Sequence, residues 1–258
     1  MRIVLINMAD QTRRLAFQQR QLGHLRLSFE RFEAITPETL PPYYQAIDRT
    51  RWERTVTLAE MACLASHRTV WSTVAEGTDP VLVLEDDIVL AGALPDVLSD
   101  LEQRTDIEHL TFEVRRRKKL IAAEPAFTSG GIAMHRLWLD RSGAAGYVLW
   151  PAGARRLLAH SEGRPHLADG VICSCPDLLS YQAVPALALQ ADRCAVYGIP
   201  APIDTSSSLV RPRGRKARKT GGQLMRRVAA QARSGARFGK MLGGAQRLHV
   251  PVDRAMFI

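Results

Sequence analysis

Three adjacent carboxylates, Glu85, Asp86 and Asp87, are the side chains of this 258-residue chain whose type and spacing point most directly to chemistry. They follow the apolar run 81–84, which predicts a buried β-strand, and ligands of α/β proteins bind beyond the carboxyl ends of such strands. Because neighbouring carboxylates repel one another, this cluster is stable only in open water, against cations or around a metal ion. These residues alone leave both a solvated turn and a cation site open.

Two further carboxylates lie in largely apolar segments. Glu113 belongs to the segment 109–114, whose alternating pattern predicts a strand. A carboxylate on such a strand is either catalytic or simply exposed. Asp169 is the single acid of the mostly apolar segment 166–172.

A long helix is expected to carry the next candidate residue. Thr57 and Glu60 have the spacing of a capping box, so a helix should begin there and run to about Glu76, with Gly77 beyond its end. Helical spacing places His67 on the apolar face of this helix. The default interpretation of His67 is a packed histidine with a hydrogen-bond partner, and Glu60 is by default only a cap.

The N-terminal segment predicts a strand, a loop and a helix. The strand covers 3–6, and Asp10 or Thr12 is expected to cap the helix. Arg13 and Arg14 would then lie on its first turn, where positive charge opposes the helix dipole. Either a bound anion lies near this helix start, or the two arginines are simply exposed.

The remaining segments predict shorter elements and loops. Strands are expected over 25–29, near 143–150 and over 184–190, and helices over 95–102 and from Pro151 onward. The segment 36–54 is expected to be a loop with one short helix. The five basic residues 115–119 predict a solvated turn. The segment 122–139 has no clear pattern and is expected to be an irregular loop that covers the site.

Composition limits the class of protein. Hydrophobic residues make up 46% of the chain, enough for a globular core, and no apolar run approaches the ~18 residues that span a bilayer. The first apolar run is too short for a signal peptide, so we expect a cytosolic protein whose four cysteines are thiols. Cys173 and Cys175 are too closely spaced for a usual zinc pair, and no second pair follows.

The positive charge is concentrated near the C terminus. Twelve Lys and Arg but no Asp or Glu occur between Thr205 and Val250, and subtracting them from the net charge of +9 leaves −3 for the remainder. The domain edge is expected within 204–210. Sparse apolar residues in this basic tail favour an amphipathic helix on an anionic membrane, with a disordered tail and a nucleic-acid-binding tail as alternatives.

Several motifs occur in a characteristic order. These are I-N at 6–7 followed by R-R at 13–14, E-x-x-C-x-x-S-H over 60–67 with Trp71, E-D-D over 85–87, G-x-x-G-Y over 143–147 and P-A-L-A-L-Q over 185–190. Together they resemble glycosyltransferase family 25, the bacterial lipooligosaccharide galactosyltransferases. Where that family has Pro-Val-Asp, this chain has Leu-Ala-Asp at 167–169.

The resemblance implies a fold and an activity. It implies one α/β, GT-A-like nucleotide-sugar transferase domain with a mixed central sheet over 1–210, followed by the basic tail 211–258. The implied reaction moves a sugar, galactose in this family, from a UDP-sugar to a glycan or lipid-linked oligosaccharide, with inversion. The protein would then be cytoplasmic and peripheral at the inner membrane. Alternatives are a non-catalytic sugar-nucleotide or glycan-binding module, and a nucleic-acid binder, against which the acidic body argues.

The resemblance also implies roles for residues. Asp87 is the expected metal ligand, with Glu85 or Asp86 supporting it or binding ribose, and hard oxygen ligands indicate Mg²⁺ or Mn²⁺. Asp169 is the first candidate for the general base and Glu113 the second. The residues expected to bind substrate are Asn7, Arg13, Arg14, Ser66, His67, Glu85, Asp86, Gly146, Tyr147 and Gln190.

Overall fold

A computed structural model of the protein describes residues 1–141, 143–203, 221–237, 239 and 244–257. The α-helices of these residues are α1 (Thr12–His24), α2 (Pro42–Gln45), α3 (Leu58–Glu76), α4 (Leu94–Leu101), α5 (Pro151–Ser161), α6 (Ala168–Ser174), α7 (Ala191–Cys194) and α8 (Gly221–Arg237). The strands are β1 (Arg2–Asn7), β2 (Glu30–Glu33), β3 (Val81–Glu85), β4 (Ile88–Leu90), β5 (His109–Thr111), β6 (Lys119–Ala122), β7 (Phe127–Ser129), β8 (Ile132–Leu139), β9 (Gly146–Leu149), β10 (Ser180–Val184), β11 (Ala188–Gln190) and β12 (Ala245–Leu248).

One large mixed sheet organises the fold. Its strand order is β12-β6-β8-β10-β5-β9-β3-β1-β2, and β7 pairs with β8. β1 is parallel to both β2 and β3, whereas β9 lies antiparallel between β3 and β5. β4 and β11 form a separate two-stranded sheet. The predicted α/β class with a mixed central sheet is confirmed, and the parallel pairing places the carboxyl ends of β1 and β3 at the same edge.

β3 is buried on both of its faces, which explains its uninterrupted apolar sequence. Leu82 and Leu84 belong to a core cluster that includes residues of α1 and α4. Val81 and Val83 belong to a second cluster that includes residues of α3 and α5. The strand runs through the middle of the domain, and its carboxylates follow where this cover ends.

The predicted helix α3 and its cap are confirmed. The Thr57 Oγ1 accepts a hydrogen bond from the Glu60 N–H at 3.1 Å, and the Thr57 N–H donates to Glu60 Oε2 at 2.9 Å. Gly77 is the C-cap. Arg54 adds an ion pair to Glu60 at 2.6 Å. Because the two capping hydrogen bonds join residues three apart, the sequence pattern was sufficient to predict them, whereas the Arg54 ion pair was not predicted.

Two predictions near the N terminus are wrong. The second strand is Glu30–Glu33, because these residues pair with β1. In the expected strand 25–29, Leu25, Leu27 and Phe29 pack against the core without joining the sheet. The N-cap of α1 is Gln11, with no side-chain cap hydrogen bond, rather than Asp10 or Thr12. A turn closed by the Gln11 N–H on the Met8 carbonyl at 3.0 Å sets this helix start.

Two predictions in the middle of the chain are also wrong. The segment 115–119 is not wholly a solvated turn, because Lys119 is 2% exposed and enters β6. Its ammonium pairs with Asp140 at 2.6 Å and donates to Gln182 at 2.5 Å. The segment 122–139 is not an irregular loop, since β8 is a strand of eight residues that pairs with β6, β7 and β10.

The C-terminal segment contributes to the domain. β12 pairs with β6 at the edge of the main sheet, and Val250 and Phe257 are buried in the core. The expected domain edge within 204–210 lies outside the described residues. Within the part of the chain that the structure describes, no helix combines the length and apolar character needed to cross a membrane.

Candidate active site

The candidate active site is a cleft of about 540 Å³ where β1 and β3 end. Its walls come from the end of β3, the first half of α3, the start of α6, the end of β11 and the loop 34–38. The predicted site residues that line it are Arg14, Ser66, His67, Glu85, Asp86, Asp87, Asp169 and Gln190. The fold thus gathers residues from five separated segments of the chain.

Asp86 connects the acidic turn to the N-terminal elements. Its Oδ2 accepts from the Asn7 amide at 2.8 Å, and its Oδ1 pairs with Arg14 at 3.0 Å. Asn7 in turn accepts from Arg31 at 2.9 Å. Burial raises the pKa of Asp86, and the hydrogen bonds from Arg14 and Asn7 oppose that rise. Both carboxylate oxygens are engaged, so Asp86 holds the turn against β1 and α1.

Glu85 and Asp87 form the part of the site that suits a cation. The Gln190 amide nitrogen lies 3.4 Å from Glu85 Oε2 and 3.4 Å from Asp87 Oδ1, which brings the two carboxylates together. The pKa of Asp87 is raised to about 7, mainly by burial and secondly by the charge of Glu85. The Gln190 Oε1 is buried and has no hydrogen-bond partner among the described residues. Adjacent hard oxygen ligands that repel one another fit Mg²⁺ or Mn²⁺.

A hydrogen-bonded chain behind the cleft orients Glu85. The Tyr147 hydroxyl accepts from Trp71 Nε1–H at 2.7 Å and lies 3.0 Å from His67 Nδ1. A carboxylate only accepts hydrogen bonds, so His67 donates to Glu85 from Nε2, and Nδ1 of the neutral ring accepts from the Tyr147 hydroxyl. His67 then carries its proton on Nε2, which lies 3.2 Å from Glu85 Oε1. His67 is therefore both a packed histidine and a donor to a cleft carboxylate.

The two candidate bases occupy different positions. Asp169, in the first turn of α6, lines the cleft, and burial raises its pKa. Glu113 is 1% exposed and is not among the residues that line the cleft. Its Oε2 accepts from the Ala145 N–H at 3.0 Å, its Oε1 has no partner among the described residues, and burial raises its pKa to about 8.

Gly143 separates Glu113 from the cleft. This residue lines the cleft with a φ of +129°, and a Cβ added to it would lie 3.3 Å from Glu113 Oε2. Both the backbone conformation and the close approach require glycine. The G-x-x-G-Y motif therefore supplies a thin wall at Gly143 and packing at Gly146, where a Cβ would lie 3.4 Å from Ile88.

Some site residues were missed by the sequence analysis, and some predicted residues lie elsewhere. Arg115 and Cys63 line the cleft, although Arg115 was assigned to a solvated turn. Residues two apart on a strand point to the same face, so extending the predicted strand by one residue would have placed Arg115 beside Glu113. This was the signal in the sequence for Arg115. Arg13, by contrast, is exposed at the start of α1, and Tyr147 is fully buried behind the cleft.

The loop 34–38 forms a wall of the cleft, and no sequence motif indicated this role. Ser66 Oγ accepts from the Ile35 N–H at 2.8 Å and donates to the Ala62 carbonyl at 3.0 Å. Ser66 is 1% exposed, so its observed contacts fix the loop to α3. The sequence predicted Ser66 as a substrate-binding residue, and the structure places it at the join between two walls of the cleft.

A family model and two glycosyltransferase-named relatives match parts of this chain. A family model described as glycosyltransferase family 25 (LPS biosynthesis protein) matches residues 1–172. A Haemophilus influenzae protein named "Putative glycosyltransferase" is 24% identical over 166 residues, which are 62% of this chain and 58% of that protein. A Bos taurus protein named "Probable inactive glycosyltransferase 25 family member 3" is 32% identical over 116 residues, 41% of this chain and 18% of that protein.

Proposed function

This chain belongs to glycosyltransferase family 25, and we propose that its cleft transfers a hexose, with galactose as the first candidate, from a UDP-sugar to a hydroxyl of a lipooligosaccharide or another glycan. The observation that carries this proposal is the meeting of Glu85, Asp87 and Asp169 with Arg14 and Arg115 in one cleft. Its volume of about 540 Å³ lies within the usual range for small-molecule sites. On the basis of this family membership, we also propose that the domain has a GT-A-like fold.

The donor side of the cleft matches the charge of a diphosphate leaving group. Asp87 and Glu85 would hold Mg²⁺ or Mn²⁺, with the Gln190 oxygen as a further hard ligand, and the ion would neutralise the charge that develops as the diphosphate leaves. Arg115 lies 3.8 Å from Asp192, and both residues line the cleft. A long guanidinium in this position can contact phosphate oxygens.

Asp169 is the proposed general base. It accepts the proton of the acceptor hydroxyl as that oxygen attacks the anomeric carbon, with inversion at that carbon. A raised pKa brings the carboxylate closer to the operating pH, which favours proton transfer. Glu113 is the weaker candidate, because a group with a pKa of about 8 is protonated at neutral pH and because Gly143 separates it from the cleft.

The activity is tested by measuring UDP release from a panel of UDP-sugars and lipid-A-core acceptors, with and without EDTA. Asp87→Asn should lower turnover at least about a hundredfold, and Asp169→Asn should lower it by about 10²–10⁴. Asp79→Asn is the matched control, since Asp79 is exposed in the turn before β3. Unchanged turnover in Asp87→Asn would refute the metal assignment. UDP-sugar binding without transfer would instead identify a non-catalytic module.

His67 is proposed to position Glu85 rather than to contact substrate. His67→Gln keeps an N–H that can reach Glu85, whereas His67→Leu removes it. The Leu variant should need about 10–100-fold more Mn²⁺ than the wild type for half-maximal activity. The Gln variant should need a Mn²⁺ concentration much closer to that of the wild type. Equal Mn²⁺ requirements in the two variants, with folding checked by circular dichroism, would mean that the bond to Glu85 does not matter.

We also propose that α8 binds an anionic membrane surface at the cytoplasmic face of the inner membrane. Leu224, Met225 and Val228 are 55%, 70% and 51% exposed, and helical spacing places them on neighbouring positions of one face. Arg226 and Arg227 on the same helix are exposed. Apolar side chains flanked by arginines are the pattern of helices that lie in a lipid headgroup layer.

The membrane proposal is tested with the full-length chain and lipid vesicles. The triple variant Leu224→Ser, Met225→Ser and Val228→Ser should lose binding to vesicles that contain phosphatidylglycerol, and neither protein should bind phosphatidylcholine alone. The exposed Val196→Ser is the control, because Val196 is 45% exposed outside α8. Vesicle binding that survives the triple variant, or salt-sensitive binding to DNA instead of vesicles, would refute the proposal.

A further inference from the structure

Cys63, His67 and Glu85 form a mixed sulfur, nitrogen and oxygen cluster in the cleft. One ligand atom from each lies within 4.8 Å of the others, and within the described part of the chain no other group of three or more such residues meets this criterion. Cys63 and His67 are four residues apart on α3, so they share one face of the helix. Glu85 reaches them from the end of β3, with Oε1 3.2 Å from His67 Nε2.

The donor set favours a different ion from the Asp87 pair. Thiolate, imidazole and carboxylate together suit Zn²⁺, whereas Mg²⁺ and Mn²⁺ prefer oxygen ligands. The Tyr147 hydroxyl contacts His67 Nδ1 at 3.0 Å, and metal-binding histidines are typically held in this way through their second nitrogen. All three ligands also line the cleft, so an ion has a route in and room for a fourth, exchangeable ligand.

The charge around Cys63 attracts a cation. Burial raises the pKa of the thiol well above its ordinary value, and the charges of Glu85, Asp169 and Glu60 add to that rise. Without a metal ion the side chain is therefore a neutral thiol that is a poor nucleophile. The same carboxylates create a negative potential that draws a divalent cation to this wall of the cleft.

We propose that Cys63, His67 and Glu85 bind a thiophilic divalent cation, Zn²⁺, and that this ion inhibits sugar transfer by withdrawing Glu85 from the pair it forms with Asp87. The binding part of this inference is independent of the proposed function, and the inhibitory part rests on it. Zinc bonds to the Cys63 sulfur, to His67 Nε2 and to a Glu85 oxygen.

The proton balance follows from the hydrogen bonds of the metal-free site. The Cys63 thiol releases its proton to solvent when the sulfur–zinc bond forms. The proton on His67 Nε2 moves to Nδ1, where it is donated to the second lone pair of the Tyr147 oxygen, beside the bond from Trp71, and the hydroxyl hydrogen of Tyr147 turns away from the imidazole. The Cys63 thiol therefore contributes one released proton for each Zn²⁺ bound, and the difference between the wild type and Cys63→Ser in calorimetric titrations with buffers of different ionisation enthalpy measures it.

The site is tested by titrating the full-length, EDTA-stripped protein with Co²⁺. A thiolate–cobalt bond produces a charge-transfer band in the near ultraviolet, and Zn²⁺ should displace it. Cys63→Ser should abolish the band and weaken Zn²⁺ binding by at least about tenfold. Cys173→Ser is the matched control and should keep the band, because Cys173 lies on α6 and not in the cleft. Asp87→Asn should keep it as well.

The outcomes test the zinc site and the inhibition by zinc separately. No band in the wild-type protein, or a band lost in Cys173→Ser but kept in Cys63→Ser, would overturn the site. If UDP release is measurable, Zn²⁺ should inhibit it, and Cys63→Ser should need at least about tenfold more Zn²⁺ relative to its own zinc-free rate. Equal inhibition of both proteins would overturn the inhibitory part. A band that depends on Cys63 in a protein with no transfer activity would leave the site standing and refute the proposed function.

Discussion

The buried carboxyl of Glu113 predicts a specific loss of stability at alkaline pH. Burial moves the pKa of this group from 4.5 to about 8, and the Ala145 hydrogen bond only partly opposes that change. Between these two pH values the native protein keeps the proton that the unfolded chain releases. Since the native state then binds more protons than the unfolded state, the free energy of unfolding falls as pH rises.

The size of this loss of stability follows from the interval between the ordinary pKa of Glu113, 4.5, and its raised pKa of about 8. One proton bound only by the native state costs about 1.4 kcal/mol of stability per pH unit. From pH 4.5 to about 8, the total is roughly 5 kcal/mol. The cost is absent below pH 4.5, grows through neutral pH and stays constant above about pH 8. Glu113→Gln removes the titration while keeping an oxygen that can accept from Ala145.

The measurement is urea unfolding of both proteins at several pH values between 5 and 8. The free energy of unfolding of the wild type, minus that of Glu113→Gln, should fall by about 1.4 kcal/mol per pH unit. Glu60→Gln is the control. Burial raises the pKa of Glu60, but hydrogen bonds from Arg54 and Thr57 more than offset this and leave it lowered, so its replacement should not change the slope above pH 5.

Parallel curves for the wild type and Glu113→Gln would refute the reasoning. They would mean that Glu113 is ionised in the native protein and stabilised by a cation. A slope of the expected sign would support the assignment of Asp169, rather than Glu113, as the general base, since a carboxyl that stays protonated at neutral pH is a poor proton acceptor.

Two further predictions concern the structure around the cleft. Lys119→Met removes the buried ammonium that pairs with Asp140 at 2.6 Å and should destabilise the protein by about 3–5 kcal/mol in urea unfolding, whereas Lys118→Met, at an exposed neighbour, should change stability by less than about 0.5 kcal/mol. Gly143→Ala places a methyl group 3.3 Å from the Glu113 carboxylate at a φ of +129° and should cost about 1–3 kcal/mol in thermal unfolding. Gly77→Ala, with ordinary contacts at 3.6 Å, should be nearly neutral, and equal effects at the two glycines would contradict the strain argument.

Sequence patterns were sufficient where the stabilising contacts are local. The capping box at Thr57 and Glu60 predicted where α3 begins, because both of its hydrogen bonds join residues three apart. The apolar run 81–84 predicted β3 because a strand covered on both faces has no polar side. The order of short motifs predicted the family, and the match over residues 1–172 confirms it.

Sequence patterns failed where a residue's environment is created by distant segments. Lys119 was expected in water, yet its partner Gln182 lies 63 residues further along the chain. β8 was missed because apolar Ala133 and Trp138 occupy half-buried positions and polar His135 occupies a buried one, so its sequence lacks the clean polar–apolar alternation of a strand with one exposed face. β12 was assigned to a tail because its pairing with β6 is equally remote in sequence.

The same distinction applies to the site. The sequence by itself determined the acidic turn at the end of a buried strand, the helix that carries His67 and the family of the chain. Only the tertiary structure decided that Asp86 faces Asn7 and Arg14, that His67 donates to Glu85, and that Gly143 separates Glu113 from the cleft while Asp169 lines it. The physical reason is that burial and hydrogen-bond partners determine the role of a carboxylate, and here both come from segments far apart in the chain.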